Sequence, residues 1–227
     1  MKIGYFCNIT NWKKKPYTEI LDNARDIALY CDKNNWESIW FTEHHFNHEG
    51  MESSPNALMM CTDIASRTKQ IRLGQACNVI TFWNPIRLAE DIATLDHLSK
   101  GRVNVGIGRG VYGREAVHMN IESDLKDQAK NKRLFQETLA VMKKAWTEKF
   151  FSHKGEFYTY PSPNFVWQHD MSPPNENFVD LKTNQIKKIS VIPKPYQKPH
   201  PPLWQVVDST GSIEWAAKNG INCIMWI

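Results

Sequence analysis

The chain has 227 residues, enough for one domain with a large core. Hydrophobic residues make up 41% and charged residues 23%, the balance of a soluble globular protein. The net charge of +4 is mild, and Lys and Arg are spread along the chain, so composition predicts no nucleic-acid partner.

The triplet Lys13-Lys14-Lys15 reads as a solvated loop. No apolar run approaches the roughly 18–20 residues that span a bilayer, so no membrane partner is expected. Met1 leads into a strand-like segment without a signal-peptide cleavage site, which predicts a cytoplasmic protein. Cys7, Cys31, Cys61, Cys77 and Cys223 are odd in number and form no C-x-x-C pair, so reduced thiols are expected.

Ile3 to Cys7 is a short apolar run with strand character, and Tyr17 to Asn34 repeats its apolar residues at helical spacing. Ser38 to Phe41 predicts a second strand, and Asn56 to Arg67 a second helix opened by Ser54 and Pro55. Ile71 to Ile80 reads as a third strand region, followed by a helix over Pro85 to Leu98 with Asn84 as N-cap and Gly101 as its closing glycine. Val103 to Ile107 is a fourth strand, and Lys130 to Phe150 a longer helix. Residues 152–202 hold most of the prolines and no sustained period. They predict an ordered insertion with Glu156 to Tyr160 and Lys188 to Ile192 as hairpin strands. Leu203 to Val207, Ser212 to Asn219 and Ile221 to Trp226 then predict strand, helix and strand.

Strands separated by helices imply parallel β/α units, as in a (β/α)₈ barrel or a doubly wound sheet. Polar or glycine-rich clusters sit just after predicted strands, which favours a barrel of the TIM type with its chemistry at the C-terminal face. About six of eight β/α units are present, at about 30 residues per unit. The expectation is a single domain over residues 1–227, truncated at its C-terminus: a fragment, a split gene or a short form.

Three of those clusters bear chemistry. Glu43-His44-His45 follows the second strand, where an imidazole beside a carboxylate serves general acid–base work. A metal site is not expected: adjacent extended residues point to opposite faces, and H-E-x-x-H is absent. Gly108, Gly110 and Gly113 match G-x-G-x-x-G, but no amphipathic helix is expected to start at once, so a dinucleotide fold is discounted. The segment is either a tight βα turn or a close approach to a ligand beside Arg109. Asp208-Ser209-Thr210-Gly211-Ser212 reads equally as a plain N-cap or as an anion site at a helix N-terminus.

Several ordered stretches resemble the bacterial luciferase-like flavin-dependent monooxygenases. They are Trp40-Phe41-Thr42-Glu43-His44-His45-Phe46, Asn84-Pro85-Ile86-Arg87-Leu88-Ala89-Glu90-Asp91, Leu95-Asp96-His97-Leu98-Ser99-Lys100-Gly101-Arg102, Gly106-Ile107-Gly108-Arg109-Gly110, Pro193 to Pro202 and Glu214-Trp215-Ala216-Ala217. The resemblance implies a (β/α)₈ barrel that binds reduced FMN and forms a flavin C4a-hydroperoxide with O2 to oxidise a small organic substrate. It implies His44 as the catalytic histidine. Glu43, Ala76, Cys77, Gly108, Arg109, Ser209 and Ser212 would contact the cofactor, and His45 and Asn78 the substrate. Arg109, Ser209 and Ser212 would sit on the phosphate side, and Ala76-Cys77 would form an unusual, often cis, peptide under the flavin ring. Gly108 stands where light-emitting subunits carry a reactive cysteine, which argues against light emission. A flavin reductase as partner and a homo- or heterodimer are implied too. The alternatives are an oxidoreductase using coenzyme F420 on the same barrel, and a non-catalytic flavin-binding or subunit-partner protein.

Overall fold

The computed structural model describes residues 1–225. Strands β1 (Gly4–Cys7), β2 (Ser38–Phe41), β3 (Arg72–Gln75), β4 (Asn78–Val79) and β5 (Val103–Gly108) are joined through helices α1 (Tyr17–Lys33), α2 (Ala57–Arg67) and α3 (Pro85–Leu98). Helices α4 (Gly113–Met119) and α5 (Gln128–Thr147) follow, then the hairpin β6 (His153–Lys154) and β7 (Thr159–Tyr160), and then β8 (Leu203–Val206), α6 (Thr210–Lys218) and β9 (Asn222–Ile224). The main sheet runs β1-β2-β3-β5-β8-β9, with β4 beside β5, and all of its pairs are parallel. It is a half-barrel with helices outside, the incomplete α/β barrel that the alternation of elements predicts.

The two sheet faces differ because strand side chains alternate. Ile39, Phe41, Leu73, Val103, Val105 and Ile107 are fully buried in the core beneath the helices. Each such side chain contributes roughly 1.5–3 kcal/mol by leaving water. The alternate positions Phe6, Trp40, Arg72, Asn104 and Trp204 line a concave cavity of about 820 Å³. Gly74 leaves room for the Trp40 ring, whose Cε3 would lie 2.1 Å from a Cβ there. Trp40 meets Trp204 edge-on at 5.3 Å.

Several expected elements change in detail. The third strand region is two strands, β3 and β4, interrupted by the cis peptide Ala76-Cys77 and followed by a 3₁₀ turn over Ile80–Phe82. Helix α2 is capped by Asn56, whose side chain accepts from Met59 N. Ser54 instead donates its hydroxyl to Thr42 O. A short helix, α4, begins at Gly113, where the sequence marks no amphipathic helix. Its seven residues are too few to show a period. Helix α5 starts at Gln128 because Asp127 caps Lys130 N, and it stops at Thr147.

Within 152–202, the residues Thr159–Tyr160 pair with His153–Lys154, while Ile189 bridges to Phe151. The expected hairpin between 156–160 and 188–192 therefore does not form. Glu137 on α5 explains the local pairing, because its carboxylate gathers the backbone N–H groups of Glu156, Phe157 and Tyr158 and faces His153. The predicted last strand is β9, and Trp226 at its expected end lies outside the described residues. No helix among the described residues is long and apolar enough to cross a membrane.

Candidate active site

Parallel strands carry their C-terminal ends to one rim, where the chain leaves the sheet with backbone and side chains free to meet a ligand. A cavity of about 360 Å³ opens there, within the roughly 300–1,000 Å³ of small-molecule sites. Glu43 and His44 reach it from the end of β2, and Ala76 and Cys77 from the link between β3 and β4. Gly108 and Arg109 enter from β5, and Ser212 from the start of α6. Seven of the ten residues predicted for the site thus share one cavity lining.

The other three lie nearby. Ser209 caps α6: its hydroxyl accepts from Ser212 N, and Ser212 Oγ accepts from Ser209 N in return. His45 turns away from the cavity toward Phe82 and places Nε2 3.2 Å from Glu43 Oε1. Asn78 is buried, and its amide donates to Gln75 Oε1 and Gly106 O.

Glu43 is almost fully enclosed. Its carboxylate accepts from Val79 N at 2.8 Å and Trp83 Nε1 at 3.0 Å, beside the His45 ring. Burial pushes its pKa up, against the pull of those partners. Cys77 is pushed up as well, first by burial and then by the neighbouring Glu43 carboxylate, so its thiol stays protonated. Arg109 donates to Gln128 Oε1 at 3.1 Å and Asn131 Oδ1 at 3.3 Å, both on α5. These neutral partners hold the guanidinium at the rim without neutralising it.

His44 has carboxylates at both ring nitrogens. Nδ1 lies 3.4 Å from Glu115 Oε1, and Nε2 lies 3.3 Å from Glu52 Oε1. Tyr112 packs against the ring at 5.4 Å between centroids and bonds to Glu52. Glu52, Glu115 and Gln205 join the lining but were not singled out from the sequence. Glu115 arrives on the unforeseen helix α4 and accepts from His45 N at 2.8 Å. Glu52 is brought in by a loop pinned to the turn after β1, where Gly50 (φ +93°) approaches Asn11 so closely that a Cβ would lie 2.3 Å from its carbonyl oxygen. Neither contact is encoded in a local spacing, whereas Tyr112 and Asp208 flank motifs that the sequence does mark.

The chemistry of this lining suits a flavin. Arg109 and the hydroxyl-capped start of α6 suit its phosphate. Gly108, with no side chain, lets the Cys77 thiol pack against the β5 backbone at the cavity wall, where a Cβ would lie 2.2 Å from Sγ. Among the described residues, no cluster of three or more His, Cys, Asp or Glu is arranged to hold a metal ion.

Comparison with known proteins gives the family and the fold. The oxygenase component of flavin-dependent trigonelline monooxygenase from Acinetobacter baylyi is 29% identical over 204 residues, covering 90% of this chain and 48% of that protein. In structure, the oxygenating constituent of 3,6-diketocamphane monooxygenase from Pseudomonas putida, solved in complex with FMN, superposes with a TM-score of 0.78 at 19% identity. That match covers 99% of this chain and 57% of the other. An F420-dependent secondary alcohol dehydrogenase, in complex with an F420-acetone adduct, gives 0.66 at 18% identity, again over 99% of this chain and 57% of the other. The chain spans about half the length of the curated relatives it matches. The profile of the family described as luciferase-like monooxygenase matches residues 1–227, and the chain belongs to that family.

Proposed function

We propose that the protein is the oxygenating part of a two-component flavin monooxygenase, taking reduced FMN from a separate flavin reductase and oxidising a small organic substrate with O2. The observation that carries this reading is the single cavity shared by His44, the Ala76-Cys77 link, Arg109 and Ser212 in a chain of this family. When bound, the reduced flavin would supply the two electrons with which O2 gives one oxygen atom to the substrate and the other to water. Arg109 and the start of α6 would hold the phosphate, with Ser209 fixing that helix end. The Ala76-Cys77 link would support the ring. His44 would hold or accept a proton beside the ring, and His45 and Asn78 would shape the substrate side from behind the lining. Cytoplasmic location and a homo- or heterodimer complete the proposal.

The test is a titration of the protein with FMN, followed by flavin fluorescence. Quenching that saturates, and that weakens when Arg109 becomes Ala, supports the reading; absence of quenching sinks it. A second reading is a dehydrogenase using coenzyme F420, favoured by the structural likeness to the F420 enzyme. Saturable binding of F420 without FMN binding would select it. If FMN binds but replacing His44 by Ala leaves substrate oxidation unchanged, the non-catalytic, partner role takes precedence.

A further inference from the structure

Gln205 is a polar side chain that has no role in the reading so far. It stands on β8 between Ile107 of β5 and Cys223 of β9 in the register of the sheet. Alternation along the strand turns it away from the concave face that Trp204 lines and toward the face where Ile107 is fully buried. It is 5% exposed, and its Oε1 is buried without a hydrogen-bond partner. An unpaired amide end held out of water is costly, and an apolar side chain of the same size would fill the place without that cost. A carboxamide that no described residue satisfies at this end points to a partner from outside the chain.

Two openings meet at Gln205. It lines the cavity of about 360 Å³ and also a cleft of about 70 Å³ between α5 and α6. Among the described residues only Arg109 and Ser212 share that double position. Those two are the residues that the flavin reading puts on the phosphate. His44 and the Ala76-Cys77 link, which that reading puts beside the ring, line the larger cavity and not the cleft. A flavin with its ring at one group and its phosphate at the other therefore passes Gln205 with the chain that joins them, which is a polyol. A hydroxyl both donates and accepts, so it satisfies a carboxamide whichever way the amide is turned. A phosphate oxygen only accepts, and would leave Oε1 as it is. The last torsion of a glutamine is broad, so a small turn is enough to bring Oε1 to a ligand in the cavity.

We propose that Gln205 is a further cofactor-binding residue, whose carboxamide takes a hydroxyl of the polyol chain between the flavin ring and its phosphate. The assignment rests on the flavin reading above and adds to it the group that recognises the middle of the cofactor.

The experiment compares FMN with a flavin of the same ring and phosphate joined by a five-carbon chain without hydroxyls. Both are titrated, by flavin fluorescence, into the wild type and into Gln205→Met, which keeps the length of the side chain and removes its hydrogen bonds. Loss of one such bond should weaken FMN binding roughly 3–10-fold in the variant and leave the affinity for the unhydroxylated flavin unchanged. Equal FMN affinity in the two proteins overturns the proposal. So does an equal loss for both flavins, which would put Gln205 on the ring or the phosphate. Gln205→Leu takes the same titrations should the Met variant fail to fold. These two results leave the flavin reading standing, whereas a wild type that binds no FMN removes that reading and this proposal with it.

Discussion

Gly106 is the glycine whose replacement the structure tolerates least. A Cβ built there would lie 1.5 Å from Gln75 O and 2.7 Å from Gln75 C. Ordinary contact begins at about 3.4 Å, so β5 and β3 would have to part by more than an ångström. Both sides are backbone within the sheet, and no rotamer change relieves the overlap. Overpacking a core costs roughly 1–3 kcal/mol, and a clash of backbone against Cβ belongs at the upper end or beyond. At about 3 kcal/mol, Gly106→Ala lowers the melting temperature by about 6–12 °C for a chain of this size. Gly113 is the control: a Cβ there meets nothing within 4 Å and it sits in helix α4. Gly113→Ala therefore leaves stability unchanged or raises it by roughly 0.4–1 kcal/mol. Thermal unfolding followed by circular dichroism measures both. Equal melting temperatures for Gly106→Ala and the wild type would refute the packing argument.

Asp32 accepts from the backbone N–H groups of Lys69, Gln70 and Ile71, and although burial opposes it, these bonds hold its carboxyl below the ordinary carboxylate range. Its folded pKa is depressed, so its contribution is present above the unfolded value and is lost as pH falls through the folded one. Asp32→Asn should lower the melting temperature at pH 7 and flatten its fall below about pH 4; parallel pH curves would count against this. Removing Glu137 as Ala strips acceptors from three backbone N–H groups, costs about 3 kcal/mol locally, and exposes 153–160 to limited proteolysis. An unchanged cleavage pattern would contradict it. Arg109→Ala should weaken FMN binding about 10–100-fold by removing a charge-assisted bond of roughly 1.5–3 kcal/mol, read by fluorescence titration. An unchanged affinity would place the phosphate elsewhere.

The alternation of strands and helices was legible because each β/α unit buries its own periodic face, as at Ile20, Ala24, Ala28 and Cys31 on α1. The cavity lining was legible where its residues follow directly on a strand end, as at Glu43-His44 and Gly108-Arg109. What escaped has no local period. Helix α4 has only seven residues, the 152–202 segment is set by Glu137 reaching across from α5, and the second carboxylate on His44 arrives through a loop fixed by a glycine contact that no sequence motif marks.

 That contact joins Gly50 to Asn11, and only the folded chain brings the two together.

Gly108 and Cys77 occupy one space between them. A Cβ at Gly108 would lie 2.2 Å from Cys77 Sγ, so the thiol fills the volume that a side chain on β5 would need. Because that sulfur is the free end of a side chain whose Cβ lies at an ordinary 3.6 Å, a residue larger than glycine on β5 requires the thiol to turn aside and not the backbone to move. The bare backbone of β5 is thus what holds the sulfur in its place at the cavity wall.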